Sequence, residues 1–301
     1  MRKFLIGAAL FATFAATPAL ANLSVFACEP EWGALSNEIG GDKVSIYTAT
    51  TGAQDPHQIQ ARPSLIAKAR TADITVCEGA ELEIGWLPMI IQQANNAKIQ
   101  PGQPGSFEGT RYVRLLEQPT SLDRAQGDIH AAGNPHIQTD PRMMLTVSKA
   151  LAQRFAHLDP ANAATYSARE ADFTKRFSAD IAKWAAEAAP LKGQPIAVQH
   201  HAWIYMENWL GLHEVVPLEP KPGVPPSSGY LAEVLQKLQQ QPAKFVIRAA
   251  YEDDRPSTFI GEKAGIPAIV LPFTVGGTDG AKDLFSLYED TIHRMLRGLK
   301  K

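Results

Sequence analysis

Short apolar runs rich in β-branched residues alternate along the chain with segments whose apolar residues recur every three or four positions. The short runs predict eight strands, four in each half of the chain: 23–27, 44–49, 72–77, 112–117, 195–200, 213–219, 244–250 and 268–273. Helical patterns separate these strands, and such alternation is typical of parallel sheets. The pattern therefore predicts an α/β protein in which each half forms a four-stranded parallel sheet flanked by helices.

One long helical segment, 160–190, separates the two halves. It has prolines only at its ends and contains no glycine. Four aromatic residues at helical spacing mark one apolar face: Tyr166, Phe173, Phe177 and Trp184. We therefore expect one rigid helix, 159–189, to join an N-terminal lobe, 22–158, to a C-terminal lobe, 190–301.

The first 21 residues have the pattern of a secretory signal peptide. A basic start at Arg2 and Lys3 precedes an apolar run, which Pro18 interrupts before the small-x-small sequence Ala19-Leu20-Ala21. No cysteine stands at the predicted cleavage point after Ala21, so the pattern favours a soluble exported protein over a lipoprotein. We expect residues 1–21 to be removed and the mature protein to lie in the periplasm.

The composition of the chain limits the kinds of partner that the protein is expected to bind. The chain has 45% hydrophobic and 20% charged residues and a formal net charge of −2. This ordinary globular composition argues against a nucleic-acid or anionic-membrane partner. The two cysteines, Cys28 and Cys77, belong to a chain predicted to reach an oxidising compartment, where paired cysteines are mostly bridged. A disulfide is therefore the favoured interpretation, and a thiolate metal ligand is the alternative.

Histidines and carboxylates collect after the predicted strands, where open parallel sheets bind their ligands. Five of the eight histidines stand there: His57, His130, His136, His200 and His201. The accompanying acidic residues are Asp55, Asp128, Glu252, Asp253, Asp254 and Asp279. Three imidazoles and one oxygen make a tetrahedral zinc site. Prolines directly before His57 and His136 restrict the backbone and would hold each imidazole still.

Five longer motifs resemble those of the metal-binding solute-binding proteins of zinc and manganese ABC importers, the cluster A-I type. They are DPHQIQARPS, GAELEIGWLP, GNPHIQTDP, HHAWIYMENWLGL and EPKPGVPPSSGYL. The resemblance covers essentially the whole mature chain and is strongest to the zinc-specific members. It implies two α/β lobes joined by a rigid long helix, in agreement with the hydrophobic pattern.

The resemblance also implies three histidine ligands. His57 and His136 take the ligand positions of the first lobe, and His200 takes that of the second. With His200 in that role, Trp203 and Tyr205 fall on the aromatic positions of the family; His201, at a variable position, is the alternative. Manganese-type members carry glutamate at this third position, and the softer nitrogen found here favours zinc.

The chain departs from the family pattern at the fourth ligand, which is often an aspartate directly after the last strand. Val275 stands near that position. We expect Asp279, a few residues later, to reach inward, with Glu252 or water as alternatives. The long histidine-rich acidic loop of some zinc members is absent; the segment with Asp128 and His130 is either a small substitute that captures or hands over metal, or a plain surface loop.

These observations predict a periplasmic protein that captures Zn²⁺ between its lobes and delivers it to an ABC permease. A manganese or iron(II) receptor of the same family is the alternative within this class. A zinc hydrolase is the alternative from another class, disfavoured because the chain has no His-Glu-x-x-His helix. We expect a monomer without enzyme activity. Whether a periplasmic metallochaperone loads the protein with metal is left open by the sequence.

Overall fold

The computed structural model describes residues 22–119, 127–128 and 130–300. The predicted signal peptide, 1–21, lies outside these residues. Within the described parts of the chain, no helix has the length and hydropathy needed to cross a membrane.

The first lobe is built on a parallel sheet with the strand order β2-β1-β3-β4. Its strands are β1 Leu23–Ala27, β2 Val44–Thr48, β3 Ile74–Cys77 and β4 Ser106–Glu108. Its helices are α1 Pro30–Gly40, α2 Pro63–Arg70, α3 Leu87–Ala94 and α4 Pro141–Leu158. The central strands β1 and β3 are almost continuously buried, as expected for parallel strands covered by helices on both faces.

The second lobe repeats this arrangement with the strand order β6-β5-β7-β8. Its strands are β5 Pro195–Val198, β6 His213–Pro217, β7 Val246–Ala249 and β8 Ala268–Leu271. Its helices are α6 Ile204–Leu210, α7 Ser228–Gln240, α8 Asp254–Ala264 and α9 Leu284–Leu299. All strand pairs in both sheets are parallel, so the predicted fold class is confirmed.

The prediction of the fourth strand was wrong. The strand lies at Ser106–Glu108, paired with β3, and the predicted segment 112–117 forms no strand. In that segment, Leu116 N donates to the Tyr205 hydroxyl of the second lobe at 2.9 Å, and Leu116 O accepts from Asn134 N at 2.8 Å. The segment is half-buried between the lobes, so its apolar residues alternate with polar ones as they would in a strand. Its backbone, however, bonds to a side chain and to a loop and not to another strand.

The apolar spacing of the segment ELEIGWLPMIIQQAN predicts a helix from residue 81, but α3 begins six residues later, at Leu87. Gly79, Ala80 and Glu81 have φ values of 86°, 48° and 68°, so the chain makes a left-handed turn after β3. The Glu83 carboxylate holds this turn by accepting from Glu78 N at 2.7 Å. Side-chain-to-backbone bonds of this kind compete with helix formation.

The long helix α5, Ala163–Glu187, has 25 residues and connects the two lobes. Its four predicted aromatic residues are each at most 1% exposed. α5 packs against α1 and α4 of the first lobe and against α9 of the second. One hydrophobic cluster runs from the first sheet through α5 into the second lobe. The domain boundaries at 22–158, 159–189 and 190–301 stay a prediction, since the two lobes share this core.

Candidate metal centre

Three histidines from three separate segments meet between the lobes. His57 follows β2, His136 precedes α4 and His200 follows β5. Their ring centroids are 5.3 Å (His57–His136), 5.6 Å (His57–His200) and 5.7 Å (His136–His200) apart. One ring nitrogen from each lies within 4.8 Å of the other two. Such a group of nitrogens could hold one metal ion.

The His57 ring is oriented by the carboxylate two residues before it. Asp55 Oδ1 lies 2.9 Å from His57 Nδ1 and also accepts from the His57 backbone N at 2.9 Å. Trp86 Nε1 donates to Pro56 O at 2.8 Å and anchors the same turn. His57 Nε2 is buried and has no hydrogen-bond partner among the described residues. This nitrogen is therefore free to bind a metal.

A second carboxylate orients His200. Glu219 Oε2 lies 2.7 Å from His200 Nδ1 and accepts from Gly223 N at 2.9 Å. Burial opposes the charged form of His200, but the hydrogen bond and the charge of Glu219 outweigh it and raise its pKa. A carboxylate on one imidazole nitrogen directs the other nitrogen toward a metal and increases its basicity.

His136 is the most deeply buried of the three, at 1% exposure. Its backbone is held by Asn134 Oδ1, which accepts from His136 N at 3.2 Å, and by the Thr139 hydroxyl, which donates to His136 O at 2.9 Å. The ring packs edge-on against Phe273, and Nδ1 has no partner in the described part of the chain. Burial, and then the nearby charge of His57 and His200, lowers its pKa, so the imidazole is neutral and can bind a metal.

His130 contributes a fourth ring to the same space. Its centroid lies 5.5 Å from that of His57 and 6.2 Å from that of His136. Burial, together with the charges of His57 and His200, lowers its pKa to about 4. Asp128, two residues earlier, is exposed, and its backbone N donates to Pro222 O of the second lobe at 3.0 Å.

His201 points elsewhere and has both ring nitrogens engaged. Nδ1 lies 2.7 Å from Glu214 Oε2, and Nε2 lies 2.8 Å from Glu117 Oε1. Hydrogen bonds to Glu117 and Glu214 raise the pKa of His201 to about 10. A protonated imidazole that donates from both nitrogens has no lone pair for a metal. The ring links the first lobe to β6, which supports the choice of His200 over His201.

The structure does not bring Asp279 to the histidines. Gly276 N donates to Ala281 O at 2.6 Å, which closes a short loop and leaves Asp279 exposed at its tip. Glu252, in contrast, lines a cavity beside His200. Its carboxylate accepts from Ala249 N, and burial raises its pKa to about 7.

Two cavities flank the histidines. The first, of about 270 Å³, includes in its lining His57, His200, Glu219 and Glu252, together with Pro225 and Pro226 of the proline-rich 219–229 loop. The second, of about 190 Å³, is lined in part by Glu117, Asp128, His130, His136, His200 and His201. His200 borders both cavities, so the three-histidine group lies between two openings in the protein.

The family model described as "ZnuA: Zinc-uptake complex component A periplasmic" matches residues 25–301. The chain belongs to this family. Its members are the substrate-binding proteins of metal ABC importers, which work with permease and ATPase components and are not enzymes. The predicted class of protein is therefore confirmed.

Named relatives of this ZnuA-family chain include receptors for different metals. It is 22% identical over 278 residues to the manganese ABC transporter substrate-binding lipoprotein PsaA of Streptococcus pneumoniae, covering 89% of this chain and 86% of the relative. It is 20% identical over 273 residues to the zinc-binding lipoprotein AdcA of Streptococcus pneumoniae serotype 4, covering 88% of this chain and 53% of the relative. These names agree on metal binding and differ on the metal.

Solved structures share the fold of this ZnuA-family chain. A crystal structure of ZnuA superimposes with a TM-score of 0.76 at 20% identity, covering 92% of this chain and 99% of that one. FpvC of Pseudomonas aeruginosa, in complex with Mn²⁺, superimposes with a TM-score of 0.78 at 21% identity, covering 93% and 99%. The two-lobed architecture is therefore that of known metal-binding proteins.

The predicted disulfide is present. Cys28 and Cys77 directly join the ends of the neighbouring strands β1 and β3. Both sulfur atoms are used in this bond, so the alternative of a thiolate metal ligand is wrong.

Sequence reasoning missed a group of buried glutamates beside the disulfide: Glu29, Glu31, Glu78 and Glu83, each at most 3% exposed. Burial, followed for Glu29 and Glu78 by repulsion between the carboxylates, raises all four pKa values, those of Glu31 and Glu83 to about 7. Glu31 N donates to Thr274 Oγ1 of the second lobe at 3.2 Å, and the Thr274 hydroxyl donates back to the Glu31 carboxylate. The sequence feature that could have indicated this cluster is the position of all four glutamates shortly after the first and third strands.

Proposed function

We propose that this protein is a periplasmic zinc receptor that holds Zn²⁺ through His57, His136 and His200 and delivers it to an ABC permease. The observation that carries the proposal is the orientation of the rings. Asp55 and Glu219 each occupy the outer nitrogen of one histidine, which leaves the inner nitrogens to converge with buried His136. Paired carboxylate–histidine units of this kind are typical of ligands to zinc.

The donor atoms favour zinc over manganese. Imidazole nitrogen suits zinc, whereas manganese prefers carboxylate, carbonyl and water oxygens. The nearest carboxylates, Asp55 and Glu219, bond to the outer nitrogens of the imidazoles and not to the space between the rings. A manganese or iron(II) receptor remains the second candidate, because manganese is named for the relative PsaA.

Release of the metal is expected to require local movement. Two ligands come from the first lobe and one from the second, while the lobes share one hydrophobic core along α5. A wide hinge opening would break that core, so small shifts of packed elements and loops are the cheaper route. We further propose that the receptor acts as a monomer, and that a periplasmic metallochaperone is an optional partner in loading.

Metal content tests the proposal directly. The purified mature protein, measured by elemental analysis, should hold one zinc per chain. After chelation, it should take up zinc in preference to manganese and iron(II) in competition. Tight retention of manganese in the presence of equimolar zinc would favour the second candidate, and failure to retain any metal would refute both.

Replacement of a ligand gives a second test. His136→Ala removes a buried imidazole that has no role in capping a helix or strand, so zinc affinity should fall by more than about 100-fold. The exposed His157, on the outer surface of α4, supplies the control variant His157→Ala. Chelator competition measures both affinities; an unchanged affinity in His136→Ala would remove His136 from the site.

A further inference from the structure

We infer that His130 is the fourth ligand, which makes the site an assembly of four imidazole nitrogens without a carboxylate. This inference rests on the proposed three-histidine site and replaces the expected oxygen of Asp279. It makes His130 a residue that determines which metal the protein selects.

The spacing of the rings carries the inference. In a tetrahedral zinc site made of imidazoles, each ring centroid lies about 3 Å from the metal, so two centroids are about 5 Å apart. The three pairs among His57, His136 and His200 are separated by 5.3, 5.6 and 5.7 Å. His130 adds separations of 5.5 Å to His57 and 6.2 Å to His136. The fourth ring therefore lies beside the three-histidine group, next to His57 and His136.

The backbone around His130 is held by one bond to a neighbouring segment and by one bond within its own turn. Ala131 N donates to Glu81 Oε2 at 3.0 Å, which ties the turn to the left-handed segment after β3. Gly133 N donates to His130 O at 3.1 Å, and Gly133 has a φ of 120° that suits glycine alone. This closed turn presents the His130 ring to the cavity that His136 and His200 also line.

Other groups are less well placed to complete the site. Asp279 is exposed at the tip of its loop. One oxygen of the Glu252 carboxylate accepts from Ala249 N, and Glu252 lines the cavity on the other side of His200 from His130 and His136. Asp55 and Glu219 hold the outer nitrogens of His57 and His200. Among the described histidines and carboxylates around the three-histidine group, His130 is the one whose ring lies against two of the three histidines.

A site of four neutral nitrogens has a chemical consequence. Manganese binds weakly to such a set, because it gains little from soft neutral donors and lacks an anionic oxygen. Zinc binds well, and its charge is balanced from behind by Asp55 and Glu219. With His130 as the fourth ligand, this protein should therefore select zinc over manganese more strongly than a receptor with a carboxylate ligand does.

The wild-type protein provides the first test. X-ray absorption at the zinc edge counts imidazoles through their multiple scattering, and four are expected. Three imidazoles with one oxygen would overturn the inference and leave the proposed function intact. A protein that retains no zinc would instead overturn the proposed function on which the inference depends.

Variants provide the second test, with His157→Ala as the matched control. His130→Ala should keep one zinc per chain and the wild-type melting temperature of the metal-free protein, while zinc affinity falls at least tenfold and the imidazole count drops to three. His130→Asp should restore part of the affinity and move selectivity toward manganese, because it supplies an anionic oxygen. An affinity and selectivity equal to wild type in both variants would refute the role of His130.

Discussion

At the scale of residues, a carboxylate on the outer nitrogen of His57 and of His200 decides which ring nitrogen faces the space between the three imidazoles. His200 shows this most clearly, because Glu219 raises its pKa despite burial. Below that pKa a proton competes with zinc for the same imidazole, so zinc affinity must fall as the pH decreases. The pKa values of His130 and His136 are lowered instead, so these two imidazoles take up a proton at a lower pH than His200 does.

Glu219→Gln should therefore change the pH profile of zinc binding. Without the carboxylate the pKa of His200 falls, so the decline of affinity begins at a lower pH than in wild type. At a pH above the decline in both proteins, the zinc affinity of the variant should be weaker than that of wild type by about 10–100-fold, because the His200 imidazole is less basic and less well oriented. Chelator competition between pH 5 and 8 measures both effects.

Glu214→Gln is the matched control for this profile. Glu214 bonds to His201 Nδ1 at 2.7 Å and not to His200. Its replacement should leave the pH at which zinc binding declines unchanged. Equal profiles for the two variants would show that Glu219 has no special action on His200.

At the scale of elements, the ends of β1 and β3 combine a disulfide with four buried glutamates. Their raised pKa values mean that the folded state holds protons more tightly than the unfolded chain. The stability gained in this way is fully present below the unfolded value of 4.5 and is lost as the pH rises through about 7. The cluster therefore favours the folded state at acid pH and opposes it at alkaline pH.

Glu29→Gln should stabilise the protein at pH 8. Glu29 is 3% exposed and its carboxylate is repelled by the other three carboxylates of the cluster, whereas glutamine has a similar shape without the ionisable group. The gain should be on the order of 2 kcal/mol at pH 8 and close to zero at pH 4.5. Thermal denaturation at the two pH values measures the difference. The exposed Glu262, as Glu262→Gln, is the control; the same change at both pH values in Glu29→Gln would contradict ionisation as the cause.

At the scale of the whole molecule, α5 joins the two lobes through a shared hydrophobic core. Its buried aromatic face contacts both. The Tyr166 ring lies 5.4 Å from Phe155 of α4, and the Phe177 ring lies 5.1 Å from Phe285 and 5.7 Å from Tyr288 of α9, measured between centroids. A shared core resists independent motion of the lobes, which agrees with release of metal by local shifts.

Phe177→Ala should destabilise both lobes together. Removal of a fully buried ring costs about 3–5 kcal/mol, and the loss should appear as one cooperative transition at a lower temperature. Calorimetry and tryptophan fluorescence should report the same midpoint. Lys175→Ala, on the exposed face of the same helix, should change it little; two separated transitions in Phe177→Ala would show that the lobes fold independently.

Local patterns were sufficient for most of the fold. Hydrophobic periodicity located seven of the eight strands, because each buried strand repeats its apolar residues within its own few positions. It failed at 112–117, where the alternation comes from burial between lobes and not from a sheet. It also placed the start of α3 too early, because the Glu83 carboxylate replaces helical bonds at that point.

The sequence was also sufficient to predict three other features, because each depends on residue type and local spacing. These are the histidines that follow strands, the cysteine pair and the long aromatic helix. The arrangement of the site was not. Glu219 lies 19 residues from His200, and Thr274 lies 243 residues from Glu31. Such pairs form only when the sheets and α5 pack and bring distant loops together. That packing leaves Asp279 at the surface and brings His130 beside His57 and His136, because the reach of a side chain depends on the path of its loop in space.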